Sequence, residues 1–171
     1  MQVDASTMTF DSRAFRNALG CFPTGVAIVT AKTGNEPPVG MTINSFSSVS
    51  LDPPLVLWSL RRNAFSRDGY LKAGRFVINV LREDQKHLAM RFAQPESKYF
   101  RDEEIEHSED GMLRLSGCAA TFDCTTAEVV DAGDHLILIG EVQRFIATDL
   151  QPLVFCRGAF AALGATKIIK S

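Results

Sequence analysis

Apolar and polar positions change their spacing several times along this chain, and each change predicts an element. Phe10, Ala14, Phe15, Ala18 and Leu19 fall on one face of a short helix, capped by Thr9 or Asp11 and stopped at Gly20. Val26 to Ala31 reads as a strand. Thr33-Gly-Asn-Glu-Pro-Pro38 is turn chemistry, since two consecutive prolines offer no ladder donors. Val39 to Ser50 reads as one extended segment, in which Gly40 marks a bulge or a close backbone approach. Asp52-Pro-Pro54 breaks it, and Leu55 to Leu60 forms the next strand. Asn63 is placed to cap a helix that Gly74 ends, and Asp84 to cap another carrying Leu88, Met90 and Phe92. Between them Arg75 to Leu81 alternates, with Phe76, Ile78 and Val80 on one side.

The acidic stretch from Arg101 to Asp110 reads as a solvated surface loop. Beyond it the pattern is β, over Ala119 to Val130, His135 to Ala147 and Leu153 to Ala161. Val130-Asp-Ala-Gly-Asp134 is a hairpin signal between the first two. This makes about six strands, mostly antiparallel by their short turns, with two or three flanking helices. The fold class is mainly β, and the arithmetic favours a small closed or partly split antiparallel barrel. No G-x-G-x-x-G follows a strand, so a Rossmann-type dinucleotide site is unsupported. Residues 9–165 are expected to form one domain, with loose tails at 1–8 and 166–171.

Composition narrows the function without naming it. The 171 residues are 46 % apolar and 22 % charged, with a net charge of −2, which lacks the basic excess of a nucleic-acid surface. No apolar run is long enough to span a membrane, and the first residues lack the regions of a signal peptide. Cys21, Cys118, Cys124 and Cys156 form no C-x-x-C pair and read as reduced thiols packed as small hydrophobes in a cytoplasmic protein. His87, His107 and His135 lack zinc-site spacing, so no metal is expected.

Three groups of residues carry candidate chemistry. Between Thr42 and Ser50 lie five hydroxyl residues and Asn44, flanked by strongly apolar strands. Such a run forms either an exposed edge strand or the wall of a cleft for a large neutral heterocycle. Second, the strand ending at Ser59-Leu-Arg-Arg62 leads into the helix capped at Asn63, a setting suited to phosphate or simply a basic surface pair with an ordinary Asn cap. Third, Gly133-Asp134-His135 opens a buried strand, where the imidazole is a turn residue or a contact for a planar ligand. No G-x-S-x-G elbow and no ordered Ser-His-Asp set supports a hydrolase.

Taken together, Phe22-Pro-Thr-Gly-Val-Ala-Ile-Val-Thr30, the block from Gly40 to Leu57 and Gly133-Asp-His-Leu-Ile-Leu-Ile-Gly-Glu-Val142 resemble the short-chain flavin reductase family. These are reductase components of two-component flavin-dependent monooxygenases. Arg91-Phe-Ala93, Lys98-Tyr-Phe100 and Cys124 add to the likeness, which runs from about Phe10 to Phe160. The resemblance implies an FMN-binding split β-barrel, a homodimer, and reduction of FMN or FAD by NADH or NADPH. It implies flavin contacts from Thr24, Gly25, Thr42, Ile43, Asn44, Ser45, Ser48, Val49 and Ser50. It adds Ser59, Leu60, Arg61, Ser66, Arg91, Phe92, Ala93 and Phe100. His135 would lie near the nicotinamide as a positioning group, with no covalent residue expected. Reduced flavin would pass to a separate oxygenase. Ile43 stands where the family often has a smaller residue. A non-catalytic flavin-binding or electron-transfer module on the same barrel is the alternative of a different class.

Overall fold

The computed structural model describes residues 11–94 and 99–164. The expected tails, a cap at Thr9, the apolar contribution of Phe10, and Lys98 lie outside the described residues. Asp11 caps α1 (Ser12–Leu19), its carboxylate accepting the amides of Arg13 and Ala14 at 2.9 and 3.2 Å. No residue of α1 is buried, and Leu19 is 58 % exposed, so its apolar face borders a surface and not a core.

Twelve strands follow in the described residues, against about six expected. They are β1 (Thr24–Gly25), β2 (Ala27–Ala31), β3 (Val39–Ile43), β4 (Ser47–Leu51), β5 (Pro54–Arg61) and β6 (Arg75–Val80). After them come β7 (Ile105–His107), β8 (Leu113–Leu115), β9 (Ala120–Ala132), β10 (His135–Ala147), β11 (Leu153–Cys156) and β12 (Ala159–Ala162). Two further helices are α2 (Arg67–Ala73) and α3 (Lys86–Ala93). Seven strands form one antiparallel sheet in the order β3-β2-β6-β9-β10-β5-β4, and the others form β1-β11-β12 and β7-β8.

The segment expected as one strand over Val39 to Ser50 is two, and they occupy opposite edges of the seven-stranded sheet. In a flat sheet those edges would lie ~29 Å apart, at about 4.8 Å per strand. The four backbone steps from Ile43 to Ser47 span at most ~14 Å. The sheet therefore curls until its edges come within that reach, and Asn44-Ser45-Phe46 ties them. This is the split-barrel architecture, mainly antiparallel with flanking helices.

Alternation then sorts the side chains. Ala27, Val29 and Ala31 of β2 face the inside of the curl with Val56, Trp58, Leu60, Phe76, Ile78, Leu136 and Leu138. Trp58 sits at the centre, edge-on to Tyr70 at 5.0 Å and Phe76 at 5.7 Å. The Tyr70 hydroxyl donates to the Val29 carbonyl at 2.8 Å, and complete burial pushes its pKa well up. Val26 and Ile28 point the other way, into a second core with Leu81, Leu88, Ala89, Phe92 and Leu153. There Asn79, fully buried, donates to the Ile28 carbonyl at 2.9 Å and accepts the Leu115 amide at 2.8 Å. That pair of bonds fastens β8 to the barrel.

Several local expectations are corrected. Asn63 lies in a turn, and Ser66 is the N-cap of α2. Asp84 caps no helix; it lies in a 3-10 turn, Glu83–Gln85, before α3 and accepts Arg82 Nε at 2.5 Å. Leu153 to Ala161 is not one strand but a hairpin turning at Arg157-Gly158, both at positive φ (49° and 80°). The acidic stretch holds β7 and a turn, and it supplies Glu104 as an ion-pair partner for Arg91. Cys21 is exposed, whereas Cys118 and Cys124 are buried.

Gly40 is a close approach and not a bulge. A Cβ there would lie 2.7 Å from the Phe92 ring and 2.9 Å from Phe100, where α3 seats on β3. Gly40→Ala is expected to destabilise the fold by about 1–3 kcal/mol through this overpacking. Urea unfolding measures it, and a midpoint equal to the wild type's would contradict the packing described.

Candidate active site

The three groups singled out in sequence become neighbours through strand register. The Ser45 hydroxyl, in the closing bend, accepts the Ser59 amide of β5 at 3.0 Å. Two residues further along β5, Arg61 stands directly opposite His135 of β10. The turn beside it is locked from the other side: the Arg62 amide donates to the Asp134 carbonyl at 3.0 Å and Arg62 Nε to the Gly133 carbonyl at 2.8 Å. Arg62 also pairs with Asp131. One strip therefore runs from the bend, along the end of β5, to the Gly133-Asp134 hairpin turn.

Sequence chemistry explains why that turn holds. Ala132 pairs with His135, leaving a two-residue loop whose first member, Gly133, has φ 60°. His135 is a third exposed, and its Nδ1 lies 2.7 Å from Asp134 Oδ1. The imidazole hydrogen bond holds the Asp134 carboxyl below the usual carboxylate range, with charge attraction to the same ring adding to it.

At the other end of the bend, Asn44 and Thr24 line a cavity of about 690 Å3 with Phe22, Phe155, Arg16 and Arg157. That size suits a nucleotide-class ligand. None of those last four residues was singled out for the site in sequence. The signal that was there is Cys156-Arg-Gly-Ala159: an arginine before a glycine inside a β pattern marks a tight turn presenting a cation.

The remaining expected residues divide by environment. Ile43, Leu60 and Phe92 have buried side chains, the first two in the barrel core and Phe92 in the second core. Thr42 donates to the Ala89 carbonyl at 2.7 Å and so ties β3 to α3. Ser50 accepts the Asp52 amide at 3.2 Å. Ser48 and Val49 are exposed on the edge strand β4, beside a register shift between Ser48 and Ser50. Gly25 lies exposed beside Thr24 in β1, and Ala93 closes α3. Phe100 packs against Phe92, the rings tilted with centroids 4.9 Å apart. Arg91 is pinned by its ion pair with the partly buried Glu104 and lies 4.7 Å over the Tyr99 ring. That arrangement leaves its Nε buried with no hydrogen-bond partner, and the same holds for Thr24 Oγ1 and Ser66 Oγ. Ser66 is unusual in this respect, because an N-cap hydroxyl ordinarily caps its helix and this one does not.

A curled antiparallel sheet with a hydroxyl-bearing strip and a basic rim suits a protein that takes a nucleotide cofactor. The chain belongs to the flavin reductase-like domain family, which matches residues 19–164. It is 48 % identical over 150 residues to the FMN reductase (NADH) SmoA of Agrobacterium fabrum, covering 88 % of this chain and 85 % of that one. It is 42 % identical to the reductase component of the flavin-dependent trigonelline monooxygenase of Acinetobacter baylyi, over 93 % of this chain but 52 % of the relative, so it spans about half of that longer protein. Among solved structures, the flavin reductase PheA2 superposes with a TM-score of 0.84 at 37 % identity, covering 91 % of this chain and 99 % of that one. The NADH:FAD oxidoreductase SgcE6 of Streptomyces globisporus, in complex with NAD and FAD fragments, gives 0.86 at 33 % identity, with 92 % and 95 % covered.

Burial pushes the Cys118 and Cys124 thiols up to about 12, while Cys21 stands exposed at the cavity rim. Titration of the native protein with a small disulfide reagent at pH 8 is expected to modify Cys21 first, with Cys118 and Cys124 reacting only in denaturant. Fast reaction of all four would show that the barrel opens readily.

Proposed function

We propose that residues 9–165 form one NAD(P)H:flavin oxidoreductase domain, which reduces FMN or FAD and delivers the reduced flavin to a separate monooxygenase. The observation that carries this reading is the set of orphaned polar atoms. Six buried side-chain atoms among the described residues lack partners; Thr24 Oγ1, Ser66 Oγ and Arg91 Nε belong to residues the resemblance assigned to flavin, whereas Trp58 Nε1, Thr121 Oγ1 and Thr126 Oγ1 do not. A buried unsatisfied donor costs roughly 1–3 kcal/mol, so a ligand that accepts from it offsets a real penalty. Hydroxyl and guanidinium donors fit the oxygens of a flavin and its phosphate.

When bound, the flavin supplies the capacity to take a hydride from a reduced nicotinamide. The chain's own part is placement. Ser45 holds the bend against β5, so the strip keeps its shape whether or not a ligand is present. Glu104 and Tyr99 fix the Arg91 guanidinium before any anion arrives. Asp134 orients the His135 ring at the rim, where it positions the nicotinamide. No nucleophile is needed. Leu60 and Phe92, which the resemblance assigned to flavin, have side chains committed to the cores and offer only their backbone groups to a ligand.

Steady-state NADH and NADPH oxidation with FMN, FAD and riboflavin in parallel tests the activity, and absence of turnover with every flavin would leave only a flavin-binding module. His135→Ala is expected to raise the KM for the pyridine nucleotide about tenfold while flavin affinity changes less than twofold. Lost flavin binding with an unchanged KM would reverse that assignment.

The protein works as a homodimer in this reading. Leu57, Ile137 and Ile139 project from the outer face of β5 and β10, half-buried, and Val130 opposite Ile137 extends the apolar patch. Sedimentation is expected to give twice the chain mass, and Ile139→Asp to give a folded monomer. A monomeric wild type would discard the dimer. The cytoplasm suits four free thiols.

A further inference from the structure

We propose that the cavity behind the bend takes the diphosphate of a dinucleotide, flanked by Arg16 and Arg157; this rests on the flavin reductase reading. Three observations carry it. First, the two arginines line one cavity of about 690 Å3 with no acidic residue among its described lining. Neither guanidinium has an ion-pair or hydrogen-bond partner among the described residues, in contrast to Arg62, Arg67, Arg75, Arg82, Arg91 and Arg114. Two unpaired cations facing one space attract an anion with more than one charge.

Second, Arg157 occupies a position its backbone disfavours. Its φ of 49° makes it the one non-glycine residue at positive φ among the described residues. A turn with both central residues at positive φ favours Asn-Gly or Gly-Gly, and here it is Arg-Gly. The Arg157 amide donates to the Gly20 carbonyl at 2.8 Å, which clamps the turn against the end of α1 and so beside Arg16. A long cation held in a strained turn points to a use for its side chain.

Third, the other walls suit a nucleoside. Phe22 and Phe155 give the cavity aromatic surface, and Phe22 is 76 % exposed. Asn44 and the unpartnered Thr24 hydroxyl supply polar contacts. Asn44 adjoins Ser45, and from Ser59 the strip needs only two residues, roughly 7 Å, to reach the Arg61–His135 pair. A dinucleotide can therefore lie with its diphosphate at the arginines and its reactive ring toward His135.

The diphosphate belongs either to NAD(P)H or to FAD, and FMN has none. The test uses the full chain carrying Arg157→Gly, since glycine adopts this φ freely and keeps the turn. With FMN as acceptor, the KM for NADH is expected to rise roughly tenfold with kcat unchanged, and Arg157→Lys to recover part of the loss. If NADH is unaffected but the KM for FAD rises against that for FMN, the diphosphate is the flavin's, and the cavity stands. Unchanged constants for both overturn it. A second readout needs no turnover: ADP is expected to slow alkylation of Cys21 at the cavity rim in the wild type, but not in Arg16→Ala/Arg157→Gly, and riboflavin not to slow it at all. Absence of ADP protection overturns the proposal. Protection in a chain that oxidises no NADH with any flavin would instead keep the cavity and remove the reductase reading.

Discussion

Four backbone steps hold this molecule in shape. Because Ile43 and Ser47 end up at opposite edges of a seven-stranded sheet, the sheet has no choice but to roll up. The rolled form creates an enclosed core large enough for Trp58, Tyr70 and Phe76, and it exposes one end where the bend passes from edge to edge. The Ser45–Ser59 hydrogen bond seals the join. Every candidate site residue on the strip takes its position from that closure: Asn44 from the bend, Ser59 and Arg61 from the strand it meets, and His135 from the strand paired with that one. Loosening the bend would disperse the site before it unfolded the core.

The closure also changes what the hydroxyl-rich block means. Read as sequence, five hydroxyls and an Asn in nine residues suggest a wall of donors awaiting a ligand. In the fold, Thr42, Ser45 and Ser50 each make a bond to the chain itself. Ser47 donates to the Ser48 carbonyl at 3.2 Å. Among the residues the resemblance assigned to flavin, the buried donors without partners come instead from Thr24, Ser66 and Arg91, on three different elements. A sharp bend leaves backbone groups without ladder partners, and short hydroxyl side chains satisfy them locally. Much of the block is thus joinery, and the ligand-facing chemistry is gathered around it.

What the sequence disclosed follows the same division. Period-2 patterns located the buried strands, and Gly133-Asp134 fixed the hairpin because a two-residue loop with its first residue at positive φ leaves little freedom. The split of Val39 to Ser50 was hidden because a bend filled with Ser and Asn has the composition of an edge strand. The Arg157 turn left only the Arg157-Gly158 pair as a signal, for the opposite reason: apolar residues continue on both sides and no Asn or Asp announces it. Glu104 was out of reach, because an acidic run reads as solvated surface until a partner such as Arg91 is placed beside it.

The site so assembled has an uneven charge distribution, and this bears on how firmly a flavin would be held. The bend itself is neutral, and the Arg91 cation on α3 is already matched by Glu104, so a phosphate arriving there would compete with an existing ion pair. Desolvating that pair returns little net energy. Arg16 and Arg157, without ion-pair partners among the described residues, face the cavity beside the bend. An anion there gains attraction without breaking a protein contact. A pocket arranged in this way favours a dinucleotide at its rim over a mononucleotide at its centre, because only the rim offers charge that no protein carboxylate already neutralises.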